Sequence, residues 1–282
     1  MQRLPPPPGA LLFGTAGIPL STQPHDTLHG IAQVAKLGLG ALELEFVRSV
    51  NVSREIAPQV KATAEQHSIF LTAHGSYFVN LNAKEKGKLR AGIAKILEGA
   101  ERLWECGGRS ITFHPAYYMG DAPEVAYKNV KKQVEAMVAE LRHRDIPVQL
   151  RLETTGKPSQ FGTLEEICSL CEQVEGVLPC VDWAHIHART GRHNTREEFR
   201  EVLYTLERSL GKAILRDLHC HVEGITYGAK GELKHVNLPQ SDFRYKELLA
   251  VLKEFRCAGI VISESPNIEG DALLMKKTFE SL

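Results

Sequence analysis

Seven side chains, His74, His114, Glu153, Asp182, His185, His219 and Glu264, are spread along the chain, nearly all just behind short apolar runs. Imidazole and carboxylate are the donor types that suit zinc or manganese. A carboxylate can also bridge two cations, and Glu153, midway in the series, is the natural bridge. A lone histidine after an apolar run is ordinarily a core or surface residue. Several acids and imidazoles brought together are different. Desolvating them without compensation is very costly, and divalent cations are the cheapest compensation. His221 lies two residues from His219 and shares its strand face, as a partner behind the ligands. His187 flanks the set, and His235 follows in the next loop. His25, His29, His67, His143 and His193 read as surface or helix residues.

The elements that must position these groups follow from the apolar periodicity. Strands are predicted at Leu11–Gly14, Ala41–Glu45, Ile69–Ala73, Ser110–Phe113, Pro147–Leu152, Val177–Val181, Asp217–His221 and Gly259–Ser263. Helical spacing separates them, near Thr27–Leu37, Glu55–His67, Lys84–Cys106, Pro123–Arg144, Thr163–Val174, Thr195–Leu210 and Tyr245–Phe255, with a last helix near Gly270–Phe279. Eight such alternations imply a closed parallel barrel, the α/β (β/α)8 TIM barrel, as a single domain over residues 11–282. Residues 1–10 form a proline-rich N-terminal tail. Barrel chemistry sits at the C-terminal ends of the strands. Six consecutive predicted strands end in or carry imidazole or carboxylate there.

Composition narrows the function. The 282 residues hold 34 Lys+Arg against 34 Asp+Glu, with 12 His. A net charge of zero argues against a generally basic nucleic-acid coat, without excluding a local patch. The 43% hydrophobic content excludes disorder for most of the chain. No signal-like segment and no run long enough to span a bilayer is present, so a cytoplasmic protein is expected, as a monomer with no membrane role and no obligatory protein partner. Cys168 and Cys171 form one CxxC in a helical pattern and read as core, since no second pair completes a zinc site.

Six motifs carry a family resemblance: AHGSYFVNLN (73–82), TFHPAY (112–117), LETTGKPSQFGTLEE (152–166), CVDWAHIHARTG (180–191), LHCHVEGITYG (218–228) and ISESPN (262–267). In this order and at these intervals the chain resembles endonuclease IV, the family 2 apurinic/apyrimidinic (AP) endonucleases of the xylose isomerase-like TIM barrel superfamily. The resemblance implies three zinc ions, with manganese as the alternative. His74, His114 and Glu153 would hold the first. Glu153, Asp182, His219 and Glu264 would hold the second, and His185 and His235 the third. The family's Asp two residues before the last His is Leu233 here, so Glu232 is the candidate replacement if the loop carries an extra residue.

The implied activity is a zinc-dependent hydrolase of DNA base excision repair. A hydroxide bridging two metals would cleave the phosphodiester 5′ to an abasic site, leaving 3′-OH and 5′-deoxyribose phosphate. Glu153 and Glu264 would be the catalytic carboxylates, the latter as acceptor of the water's proton. The partner that the resemblance implies is double-stranded DNA containing abasic sites. Tyr77 and Phe78 match the family positions that enter the base stack, and Arg189, Arg48 and Lys157 are phosphate contacts on the same face, beside Arg192, Lys230 and Lys234. The alternative is a single-metal sugar isomerase or epimerase of the same superfamily, using a Glu153, Asp182, His219, Glu264 quartet. Glu43 and Glu45 favour that alternative; His74, His114 and His235 favour the nuclease.

Overall fold

The computed structural model describes residues 5–282. Met1–Leu4 of the expected proline-rich tail lie outside the described residues. From Pro5 onward the chain is tied down, because the Pro5 carbonyl accepts from the Arg109 guanidinium.

Eight parallel strands close into a barrel: β1 (Leu11–Ala16), β2 (Ala41–Glu45), β3 (Phe70–His74), β4 (Ser110–Phe113), β5 (Gln149–Glu153), β6 (Val177–Asp182), β7 (Leu218–Val222) and β8 (Gly259–Ser263). They pair in sequence order, and β1 against β8 closes the ring. The helices are α1 (Thr27–Lys36), α2 (Ala57–His67), α3 (Lys86–Glu105), α4 (Pro123–His143), α5 (Leu164–Gln173), α6 (Trp183–Thr190), α7 (Arg196–Leu210), α8 (Tyr245–Glu254) and α9 (Glu269–Ser281). The expected (β/α)8 architecture is therefore present.

The period of two along each strand explains the two cores. Leu42, Leu44, Leu150 and Leu152 face outward into the main apolar core, with Val134 and Met137 of α4, Ile167 of α5 and Phe199 and Leu203 of α7. The alternate positions fill the barrel. Ala41, Ile260 and Ile262, with Leu12 and Phe70, make a small apolar plug on one side. On the other side the filling is polar. Arg151 is 1% exposed and donates to Asp217 Oδ1 at 2.7 Å and to the Pro179 and Asp217 carbonyls. Arg109 takes the other Asp217 oxygen at 2.7 Å. Burial pushes Arg151 down while Asp217 opposes that shift, which keeps the cation paired.

Several elements among the described residues were not expected. Helix α6 starts directly behind β6 with no loop, because Asp182 is both the last strand residue and the helix N-cap, accepting from His185 N–H at 2.6 Å. A 3-10 turn, Lys212–Arg216, precedes β7. Two antiparallel ribbons decorate the C-terminal rim, Ala116–Tyr117 with Gln160–Phe161 and Gly224–Gly228 with Gly231–Val236. All six cysteines are buried and unbridged, so Cys168 and Cys171 are core as expected. Among the described residues no helix is long and apolar enough to cross a membrane.

Candidate metal centre

The C-terminal ends of β3, β5 and β6 are His74, Glu153 and Asp182 themselves. The predicted strands stopped one residue short. Each of these groups is thus held by the barrel rather than by a loop. His114 follows β4, and Glu264 follows β8 with its N–H on the Val222 carbonyl.

Glu153 is fully buried and its two oxygens divide the histidines. Oε2 lies 3.1 Å from His74 Nε2 and 3.2 Å from His114 Nε2. Oε1 lies 3.1 Å from His221 Nδ1 and 3.6 Å from His185 Nδ1. His74 Nδ1 lies 2.8 Å from the Gly75 carbonyl, which fixes the ring with Nε2 facing the carboxylate. Burial would raise Glu153, but the facing His114 and His221 outweigh it and hold its carboxyl well below the usual range. Burial opposes charge on His74, yet Glu153 pushes it up to about 10.

His219 needs a correction. It does not join Glu153 and Glu264; His221 does, with Nδ1 3.1 Å from Glu264 Oε1. Strand β7 continues to Val222, so the inward position nearest the strand end is 221. His219, two residues earlier, sits deeper, with Nε2 2.8 Å from Glu43 Oε2. The same period carries on to Glu223, which sequence reasoning missed. Glu223 is fully buried, with both oxygens unpartnered. The alternation 219, 221, 223 was the signal, hidden because the strand was ended at His221.

A second group forms where His185 meets His235. His185 Nδ1 lies 3.2 Å from the Thr154 carbonyl, so that nitrogen donates and Nε2 is a bare acceptor. Nε2 stands 3.3 Å from His235 Nε2, with Glu223 Oε1 3.8 Å from the latter. Glu232 adds its carboxylate, Oε2 3.5 Å from His185 and Oε1 4.0 Å from His235. The extra residue anticipated near Leu233 exists. The ribbon register jumps there, with Thr226 opposite Lys234 and Tyr227 opposite Glu232, and Leu233 is bulged out at 66% exposure. The bulge puts Glu232 and His235 on one face. Gly156 and Gly231 allow the close approach behind it. A Cβ on Gly231 would fall 2.2 Å from the Gly156 carbonyl oxygen.

Four carboxylates, Glu153, Asp182, Glu223 and Glu264, thus meet five imidazoles, those of His74, His114, His185, His221 and His235. Burial first, then neighbouring carboxylates, push Asp182 and Glu223 well above the usual range. Asp182 Oδ2 and both Glu223 oxygens have no hydrogen-bond partner. Orphaned buried carboxylate oxygens beside bare imidazole nitrogens are what divalent cations satisfy, so the donor set fits such ions. The centre opens on a cleft of about 220 Å³, walled by His74, Tyr77, His114, His185, His235 and Glu264.

The rim residues divide. Tyr77 and Phe78 are 56% and 67% exposed, so neither is core. The Tyr77 ring stands 5.2 Å from that of His74, and its N–H binds the Val47 carbonyl, beside exposed Arg48. Lys157 lines the cleft with Nζ 3.9 Å from Glu232 Oε1. Arg192, Lys230 and Lys234 are exposed. Arg189 is different. Its guanidinium donates to the Thr155 hydroxyl at 3.0 Å and the Lys157 and Gln160 carbonyls at 2.6 and 2.9 Å. Its donors are turned into the loop behind β5 rather than outward to a phosphate, which corrects the expectation drawn for it.

With this geometry in place, the sequence pattern of the xylose isomerase-like TIM barrel family matches residues 31–282. The chain belongs to that family. An uncharacterized protein of Methanocaldococcus jannaschii is 40% identical over 273 residues, 96% of this chain and 98% of the relative. The probable endonuclease 4 of Mycoplasma pneumoniae is 23% identical over 212 residues, covering 72% of this chain and 71% of that protein. Among solved structures, endonuclease IV from Thermus thermophilus superposes with a TM-score of 0.74 at 20% identity, covering 95% of this chain and 100% of that one. A D-tagatose 3-epimerase-like protein superposes with 0.72 at 16% identity, covering 95% and 96%. At these identities the likeness to solved structures concerns the fold.

Proposed function

We propose that the protein is a metal-dependent AP endonuclease that hydrolyses the phosphodiester 5′ to an abasic site in duplex DNA. The observation that carries this reading is the convergence of His74, His114, His185 and His235 on the carboxylate core. A one-metal barrel enzyme has no use for these four as ligands. His74, His114 and Glu153 would hold one ion, Glu153, Asp182, His221 and Glu264 a second, and His185, His235 and Glu223 a third, with Glu232 beside it. Zinc suits this nitrogen-rich set best, with manganese second. Ions there supply charge neutralisation for phosphoryl transfer and acidify water.

The chain's own residues do the rest. Glu153 holds the histidines of both flanks in one geometry. Glu264, at 10% side-chain exposure, is the carboxylate of the core that reaches the cleft, so its oxygens can take the proton of the attacking water. Tyr77 and Phe78 supply exposed aromatic surface at the rim, suited to fill the stack beside a missing base. Arg48 and Lys157 lie on the same rim for phosphates.

A second reading has its own support. Glu153, Asp182, His221 and Glu264 also make the quartet of a single-metal sugar epimerase, and an epimerase-like protein shares the fold. One assay separates them. Purified protein should nick a duplex bearing one abasic site without added magnesium, should lose that activity to chelator, and should carry close to three metals per chain. Metal-replete protein that leaves the duplex intact, with one metal per chain, overturns the nuclease reading.

A further inference from the structure

Beneath the cleft, Glu43 of β2 makes a set of contacts that the proposed ligand roles leave unused. It is fully buried. Its Oε1 lies 2.8 Å from His221 Nε2, and its Oε2 lies 2.8 Å from His219 Nε2. The Thr72 hydroxyl of the neighbouring strand donates to Oε2 at 2.7 Å. His221 therefore has a carboxylate beside each ring nitrogen: Nδ1 is hydrogen-bonded to Glu153, and Nε2 approaches Glu43 closely without the in-line geometry of a hydrogen bond. Nε2 faces Glu43, and Nδ1 faces Glu153 and Glu264, 3.1 Å from each. A neutral imidazole carries one N–H. A nitrogen that binds a cation must offer its lone pair, so the proton must sit on the other. With Nδ1 given to a cation, a carboxylate 2.8 Å from Nε2 favours that tautomer.

His219 completes the arrangement from below. Positions 219 and 221 share a strand face, so one carboxylate reaching across from β2 meets both rings. Thr72 and His219 together leave the Glu43 head little freedom to turn. Each of the two rings sets its Nε2 against one oxygen of the Glu43 carboxylate. Cys180, the remaining donor near these rings, keeps a thiol pushed up to about 12 by burial.

We propose that Glu43 is a positioning residue of the metal centre, holding His221 as its Nε2–H tautomer with Nδ1 aimed at the Glu153–Glu264 side, while His219 and Thr72 fix the Glu43 carboxylate. This rests on His221 being a ligand, as read above. The test uses the full chain loaded with zinc, a chelator competition for affinity, and nitrogen NMR of the imidazoles for the His221 tautomer. Glu43→Gln should weaken zinc binding about 10- to 100-fold and mix the tautomers. Thr72→Val keeps the carboxylate and removes its hydroxyl partner, so it should loosen zinc several-fold in the same direction, and it decides the matter if Glu43→Gln does not fold. Zinc affinity within about twofold of the parent in the variants that fold, with the tautomer unchanged, overturns the proposal. So does loss of one zinc equivalent in Cys180→Ser, which would make the lower set an ion site. None of these readouts involves DNA, so failure here leaves the nuclease reading standing, and an inactive nuclease leaves this one standing.

Discussion

Glu223 carries the least compensated charge of the centre, with two buried oxygens and no hydrogen-bond donor on either. Such a group is tolerable only with an ion or a proton on it. Glu223→Gln removes the charge and keeps the shape. It should cost the metal proposed for His185 and His235, while the metal-free protein becomes no less stable. Metal content by emission spectroscopy and melting in chelator measure both, and an unchanged metal count would exclude Glu223 as a ligand. At this scale the sequence was informative about residue type and less so about depth. His74, Glu153 and Asp182 were legible because each closes an apolar run. Choosing His219 over His221 failed because two in-facing histidines look alike until the strand end is known, and β7 runs one residue further than its apolar run suggested.

Among the elements, α6 bears on the site through its C-terminal turn, and α7 bears on stability through its N-terminal cap. Arg189, near the end of α6, gathers the loop behind β5, and that loop carries Lys157 and backs onto Glu232. Arg189→Ala should leave metal content intact and weaken duplex binding and turnover through a loosened loop, seen as faster proteolysis at residues 155–160. A loop as resistant as the parent's would show that the clamp is dispensable. At the start of α7, Thr195 and Glu198 form a capping box. The Asn194 N–H and the Thr195 N–H and hydroxyl hold Glu198 at about 2, against 4.5 ordinarily. A depressed folded-state value gives stability that is present above the unfolded value and lost as pH falls through the folded one. Glu198→Gln should thus cost about 1 kcal/mol at neutral pH. In urea titrations that difference should shrink steadily below pH 4.5, and a pH-independent difference would rule out the carboxylate as its source. Helix α6 itself escaped prediction because a strand-end aspartate doubling as an N-cap leaves no loop to mark the boundary. The bulge at Leu233 was legible only as a mismatch between an acid and the place expected for it.

At the scale of the molecule, a chain of zero formal charge hides a local imbalance. The acids of the centre count against the total, and the ions they would hold do not. With divalent ions bound, the cleft presents positive charge to a phosphate while the chain sum stays neutral. The same ions should stabilise the fold. At free metal about 1,000 times the dissociation constant, linkage gives roughly 4 kcal/mol. For a chain of this size that is on the order of 10 °C in melting temperature. Calorimetry with and without chelator checks it, and a shift of less than about 2 °C would mean that the acids are satisfied without metal. The barrel class was readable from alternation alone, because each strand and helix is long enough to show its period. The polar half of the barrel filling was not, since Arg151 and Asp217 meet only once the ring closes.

That polar filling has a consequence for how the sequence can drift. Arg151 with Asp217 and Arg109 is a largely buried ion-pair group, and Glu43 with His219 and His221 a buried acid–imidazole group, each joining distant parts of the chain. Replacing one member strands its partner's charge at a cost of about 3–5 kcal/mol, a large part of a typical domain's stability. Single substitutions at these positions are therefore costly, and the groups change most easily in concert. Distant points of the chain are bound into one inherited unit, so that in descendants of this sequence position 43 should vary with positions 219 and 221, and position 151 with position 217.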